Sequence, residues 1–253
     1  MAHGLSERQV PLQQALHGYS EGHRLLASSI DLPSRDAKTL LMMSDASGPA
    51  ATIGLNGDLT GYPLSESGHY ALARTWPAPE LPRPGCVWTH TILIDFSDIP
   101  SLVQVGGLLK MFRRPQGDEN SYRRELDYVP SEESERPAIP EDLARRVLSG
   151  LYGDPSRPIV SAASEGPARD ALVLAIWGQQ WPRLKRAFRF CTLSFADRSS
   201  ANGTFDLQFL PAAGRVRSTQ FKGAVDADRR DFIASDWLED ALSDLNDGSN
   251  GSL

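Results

Sequence analysis

Between Cys86 and Phe96 the sequence CVWTHTILIDF places Trp88, His90, Ile92, Ile94 and Phe96 on one side of an extended chain and Val87, Thr89, Thr91 and Leu93 on the other. A strand apolar on both sides cannot sit at a sheet edge or on a solvent face, because neither row of side chains tolerates water. It demands a neighbouring strand on each flank and a packed layer above and below. The chain can supply these layers: 253 residues, 40% of them hydrophobic and 23% charged, are enough for an ordinary core.

Elements that could surround this strand are legible on both sides. Val10 to Leu16 and Arg24 to Ile30 predict a hairpin whose turn is His17-Gly18-Tyr19-Ser20-Glu21-Gly22-His23. Asp36 to Asp45 predicts a short helix, and the Gly-, Asn- and Pro-rich run Ser47 to Gly68 predicts a long surface excursion. Tyr70 to Trp76 is extended, and the prolines from Pro77 to Pro84 end it.

Asp98 can cap a helix carrying Leu102, Val105, Leu109 and Phe112, weakened by Gly106-Gly107. The polar tract 114–140 is a connector and a potential lobe boundary. Ile139 to Leu151 is an amphipathic helix with Glu141-Arg145 and Asp142-Arg146 spaced to pair. Pro158 to Ala162 is a strand, and Pro167 opens an apolar helix through ALVLAIWGQQW. Phe188 to Phe195 and Phe205 to Leu210 form strands about the turn DRSSANG, and a last helix spans Arg229 to Leu245.

The fold class expected is therefore α+β, a mixed or mostly antiparallel sheet with helices packed on it, within a domain at 9–245 flanked by a flexible 1–8 and a disordered tail at 246–253.

Residues that could do chemistry are few. Gly18-Tyr19-Ser20-Glu21-Gly22 has the G-x-S-x-G spacing of a hydrolase nucleophile, but an elbow lies between a strand and a helix, and a strand follows here. His17 and His23 bracket the turn and could face one another as two metal ligands, with Glu21 as a third, in a spacing that matches no known zinc motif. The reading preferred is that His17, Gly18, Gly22 and His23 shape the turn. Cys86 and His90 lie roughly 13 Å apart along a strand, too far for a dyad, so His90 is expected as a core histidine held by a neighbour.

No phosphate-binding loop, H-E-x-x-H or C-x-x-C occurs, so no cofactor, metal or catalytic residue is expected. A net charge of -6 argues against nucleic acid as principal partner. The basic clusters, including Arg183, Lys185, Arg186 and Arg189, are expected as solvated surface or as charges at helix ends. Without a membrane-spanning run or an export signal, a cytoplasmic location with no membrane partner is expected.

Six stretches occur in order: HGYSEGHRLLASS from His17, LLMMSDASG from Leu40, GYPL from Gly61, YALARTWPAPELPRPGCVWTHTILID from Tyr70, RFCTLSFADR from Arg189 and FDLQFLP from Phe205. Together, over residues 9–211, they resemble the N-terminal domain of the bacterial GTPase-associated protein 1 family. The resemblance implies a component of NTP-dependent conflict (defence) systems, encoded with a GTPase that it adapts or scaffolds. It carries over no catalytic residues. Family members commonly continue into further domains, whereas this sequence stops soon after its final helix.

The function expected is thus a non-catalytic adaptor that binds a cognate GTPase or another conflict-system protein, the alternative being a hydrolase or metal enzyme built on the His17–His23 hairpin. Tyr19, Arg74, Trp76 and Arg83 are the expected partner-binding residues, because aromatic and Arg side chains dominate interface hot spots.

Overall fold

Strand β5 (Val87–Asp95) runs between two antiparallel neighbours in a computed structural model that describes residues 9–50, 53–102, 105–130, 138–162, 166–211, 220–229 and 235–247. One neighbour is β1 (Val10–Tyr19), which forms the expected hairpin with β2 (His23–Ser28). The other is β4 (His69–Pro77), itself paired with β3 (Asp58–Leu64). Every residue of β5 except Asp95 is buried, as its two apolar faces require.

Among the described residues the strands make one mixed sheet. Its antiparallel half continues from β3 to β8 (Phe190–Cys191), and from there β9 (Leu207–Phe209), β7 (Ile159–Ser161) and β10 (Val225–Asp226) are all parallel. Strand β6 (Leu126–Tyr128), from within the connector tract, pairs with the start of β1, while residues 131–137 lie outside the described residues. So do 1–8 and 248–253, on which the flexible N-terminus and most of the tail fall.

The two faces of the sheet are covered separately. Ile92 and Ile94 join Leu72, Tyr70 and Leu59 under helices α2 (Glu141–Gly153), α3 (Gly166–Gln179) and α5 (Asp236–Asp247). Leu93, Ala71, Ala73, Tyr62 and Leu64 face the other way, toward Leu40 and Met43 of α1 (Ser34–Met43). Helix α3 is apolar nearly all round and is buried accordingly, with Trp177 stacked on Tyr70 at a centroid distance of 4.9 Å. Arg145 pairs with Glu141 at 2.8 Å, and Arg146 pairs with Asp142, on the exposed side of α2. No helix among the described residues is long and apolar enough to cross a membrane.

Three expectations need correction. The excursion placed at Ser47 to Gly68 contains β3, a largely buried strand. Its glycine is a packing requirement, since a Cβ at Gly61 would overlap Phe190 and Tyr70. Pro63 is tolerated because β8 pairs only with Thr60 and Gly61, leaving β3 one-sided beyond them.

The helix expected after Asp98 is replaced by 3-10 turns at Ile99–Ser101 and Gly106–Met111. A Cβ at Gly107 would lie 2.9 Å from the Tyr128 hydroxyl, so this glycine admits Tyr128 where a helix former would exclude it. Phe188 to Leu210 is no hairpin: Asp206 and Leu207 donate back to the Arg189 carbonyl, at 2.9 and 3.2 Å, so β9 restarts beside the beginning of β8 and runs parallel to it. Lys185, in the last turn of the short helix α4 (Pro182–Ala187), is a helix-end charge rather than a solvated one: it is buried, its ammonium donating to the Leu102 carbonyl at 3.2 Å. Burial lowers its pKa to about 8.

Candidate functional site

Ser20, Glu21 and Gly22 close the β1–β2 hairpin. Glu21 takes the left-handed conformation at φ 58° and Gly22 follows at φ 142°, where only glycine is at ease. Ser20 N–H donates to the Gly22 carbonyl at 2.9 Å. Gly18 is needed for a different reason, since a Cβ there would overlap the Trp88 ring of β5. Trp88 Nε1 in turn donates to Glu80 at 2.7 Å, and Arg114 binds the same carboxylate at 2.7 Å.

These contacts seat the hairpin tip on the proline-rich tract after β4. At the outer end Arg83, fully on the surface, lies over the half-buried Tyr19 ring at 5.5 Å. Tyr19 and Arg83, 64 positions apart, thus form one cation–π pair at the rim of a continuous surface.

The histidines face inward from this tip. His17 is buried and stacks on His23 at 6.2 Å. Burial, reinforced by His23, lowers the His17 pKa to about 3, and burial also lowers that of His23. His23 Nε2 meets Ser44 Oγ at 2.7 Å. Ser44 Oγ donates to the Leu41 carbonyl at 2.8 Å, so its oxygen accepts from His23 and its proton is not free for chemistry.

Thr89 donates to the Ser44 carbonyl at 2.5 Å and contacts Thr75 at 2.9 Å, completing a polar ladder across β5 and β4. Ser20 is exposed between two strands, and the His23 ring is turned toward Ser44, which sequence reasoning did not single out. Among the described residues no three His, Cys, Asp or Glu side chains gather as a metal ion would need.

His90 is held as a core histidine should be. Arg113 N–H donates to its Nδ1 at 3.1 Å, which makes Nε2 the protonated nitrogen, and Nε2 meets Gln14 Oε1 at 2.9 Å. Burial, with Arg113 adding to it, lowers its pKa to about 3.

Arg74 and Trp76 occupy a different environment from the one expected. Both are buried, at 7% and 6% exposure, so they are not rim residues of the Tyr19–Arg83 surface. Even positions of β4 project under the helices, and Arg74 meets Asp170 of α3 there in an ion pair of 2.7 Å. Its other nitrogen donates to the Asn56 carbonyl at 2.7 Å, and its guanidinium lies 5.4 Å from the Phe112 ring centre.

Next to Asp170, Arg169 donates to the carbonyls of Thr192 and Leu210, at 3.2 and 2.9 Å, and to that of Ala162, joining the carboxyl ends of β8, β9 and β7. Burial and then Asp170 push the Asp58 carboxyl up to about 8, against the pull of Arg198, Arg74 and Arg169. Burial likewise raises Asp170, opposed by Arg74. The sequence offers no spacing that could have revealed this cluster.

Comparison with protein families meets the chain at its antiparallel half. Residues 11–112 match the model of GTPase-associated protein 1, N-terminal domain type 1. The match runs from β1 through β5 to Phe112 and holds both the hairpin and the tract on which its tip sits. It is narrower than the resemblance drawn from the sequence, because the stretches beginning at Arg189 and Phe205 lie outside it. Neither the curated proteins nor the solved structures give a match.

Proposed function

We propose that the protein is a non-catalytic adaptor of a GTPase-linked bacterial conflict system and binds its GTPase through the surface formed by the hairpin tip and the Pro77–Trp88 tract. One observation carries this reading. The segment matched to the GTPase-associated family contains both parts of that surface, and they are joined by Gly18 against Trp88 and Arg83 over Tyr19. Aromatic and Arg side chains on a rigid, proline-bounded support fit the composition of binding hot spots. The turn chemistry at Ser20 serves the hairpin, and the neutral, enclosed histidines beneath it stiffen the tip.

The test is capture of the GTPase encoded beside this gene. Replacing Tyr19 and Arg83 together with Ala is expected to weaken capture at least about tenfold, the effect of losing one hot spot, while the melting temperature stays close to that of the parent. Undiminished capture would remove this surface from the account. Ser20→Ala is expected to leave capture intact, and its selective loss would favour the hydrolase alternative.

A further inference from the structure

Three of the eight large apolar side chains exposed among the described residues gather at one place: Trp181, Leu184 and Trp237, at 63%, 50% and 40% exposure. They line a groove of about 300 Å³ between the start of α4 and α5, with Tyr152 of α2 and Ala241 also in its walls. The groove shares no residue with the Tyr19–Arg83 surface or the histidine ladder. Single exposed leucines need no explanation, but two tryptophans and a leucine around one depression have the composition of an interface core.

The two walls carry opposite charge. On α5, Trp237 and Ala241 face the groove, and Asp240, three positions after Trp237, borders them on the solvent side. On the other wall Trp181 and Leu184 flank Arg183, in the first turn of α4. Arg183 and Asp240 are both exposed and, among the described residues, neither has an ion pair or hydrogen bond. Their charged neighbours are already engaged: Lys185 with the Leu102 carbonyl, Arg186 with that of Phe96 and Glu239 with Arg145. A partner of uniform charge would be attracted by one wall and repelled by the other. A second copy turned about a two-fold axis sets each wall against the opposite one, so that Arg183 meets Asp240 of the partner subunit and Asp240 meets the partner's Arg183.

We infer that this groove joins two copies of the chain in a two-fold symmetric dimer, with Trp181, Leu184 and Trp237 at its centre and the Arg183–Asp240 pairs at its rim. The apolar centre holds the copies together, and the rim charges fix their orientation. Three side chains of at most about 250 Å² each fall short of the roughly 800 Å² per partner of a stable interface, so the dimer is reversible, with a dissociation constant between about 1 and 100 µM.

The test is sedimentation equilibrium of the full chain from about 1 to about 300 µM. The expected result is an average mass that rises from one chain to two and levels there. Trp181→Ala/Trp237→Ala is expected to weaken the dimer at least about tenfold. Because Trp237 is more than half buried, the exposed charges supply a second set of variants, Arg183→Asp and Asp240→Arg. Each alone sets like charges against one another and is expected to weaken the dimer at least about threefold with melting unchanged, while the two combined restore it. Leu55→Ala, which removes an exposed apolar side chain outside the groove, is expected to dimerise as the parent does. The mass of one chain throughout, a mass that climbs past two chains, or a dimer that the tryptophan replacements leave intact would overturn the inference. So would charge variants that have no effect singly or that the combination fails to rescue.

Discussion

Replacing Arg74 with Met is expected to destabilise the fold by about 3–5 kcal/mol, because it strands the Asp170 carboxylate in an apolar enclosure. The partners are 8% and 5% exposed at the side chain and 2.7 Å apart, so both charges are largely withdrawn from water. Arg74 also gives up its bond to the Asn56 carbonyl and its seat over Phe112.

Asp170→Leu should be comparably costly, since it leaves a buried guanidinium. The double variant Arg74→Met/Asp170→Leu should cost much less than the sum of the two, because both charges vanish together. Urea unfolding of the four proteins measures this coupling. Additive costs, or a single-variant cost below about 1 kcal/mol as for a surface pair, would show that the pair is not isolated from water.

Between about pH 5 and 8, stability is expected to peak near pH 6.5 and to fall on both sides, because buried groups titrate in opposite senses. His17 and His90 stay neutral in the fold down to about 3 but protonate below about 6.5 in the unfolded chain. Their contribution is fully present above 6.5 and is lost as pH falls toward 3, at about 1.4 kcal/mol per pH unit for each ring.

Asp58 runs the other way. Its folded pKa of about 8 lies above its unfolded value near 3.8, so its contribution is present at low pH and declines as pH rises from there through 8. Below 6.5 two histidines oppose one aspartate and the net slope is a loss of about 1.4 kcal/mol per unit; above 6.5 Asp58 acts without them and about 2 kcal/mol is lost by pH 8. Burial shifts Asp170 up and His23 down, in the same senses as Asp58 and the other two histidines.

Melting temperatures across about pH 5–8 test this directly, since above 8 the lowered Lys185 works in the opposite sense to Asp58. Asp58→Asn should flatten the alkaline limb and His90→Gln part of the acid limb. A curve that rises steadily from pH 6.5 to 8 would contradict the placement of Asp58.

What the sequence revealed depended on whether a residue's environment followed from its own neighbours. Strand β5 was legible because both of its faces are apolar, and α2 because its apolar stripe and its acid–base pairs share one period. Strand β3 was hidden because Gly61 is demanded by Phe190 and Tyr70, which are remote in the chain, and glycine signals a loop locally. The same holds for Gly107 beneath Tyr128.

Parallel pairing of β8 with β9 depends on where the connection returns, and periodicity carries no trace of that. At the site, residue type pointed to Tyr19 and Arg83 as partners for an interface and to Arg74 and Trp76 as well, yet type cannot tell an arginine on a rim from one paired in the interior. The position of Asp170, 96 residues beyond Arg74, is what separates the two cases.

Amide hydrogen exchange on the protein, alone and with the GTPase proposed as its partner, reads the proposed interface without any substitution. The account predicts protection on binding at residues 18–24 of the hairpin tip and at 80–88 of the tract that supports it. It predicts no change where Trp181 and Trp237 present a separate exposed apolar face. Protection confined to that second face, with the hairpin tip unchanged, would contradict the claim that the Tyr19–Arg83 surface is what the GTPase meets.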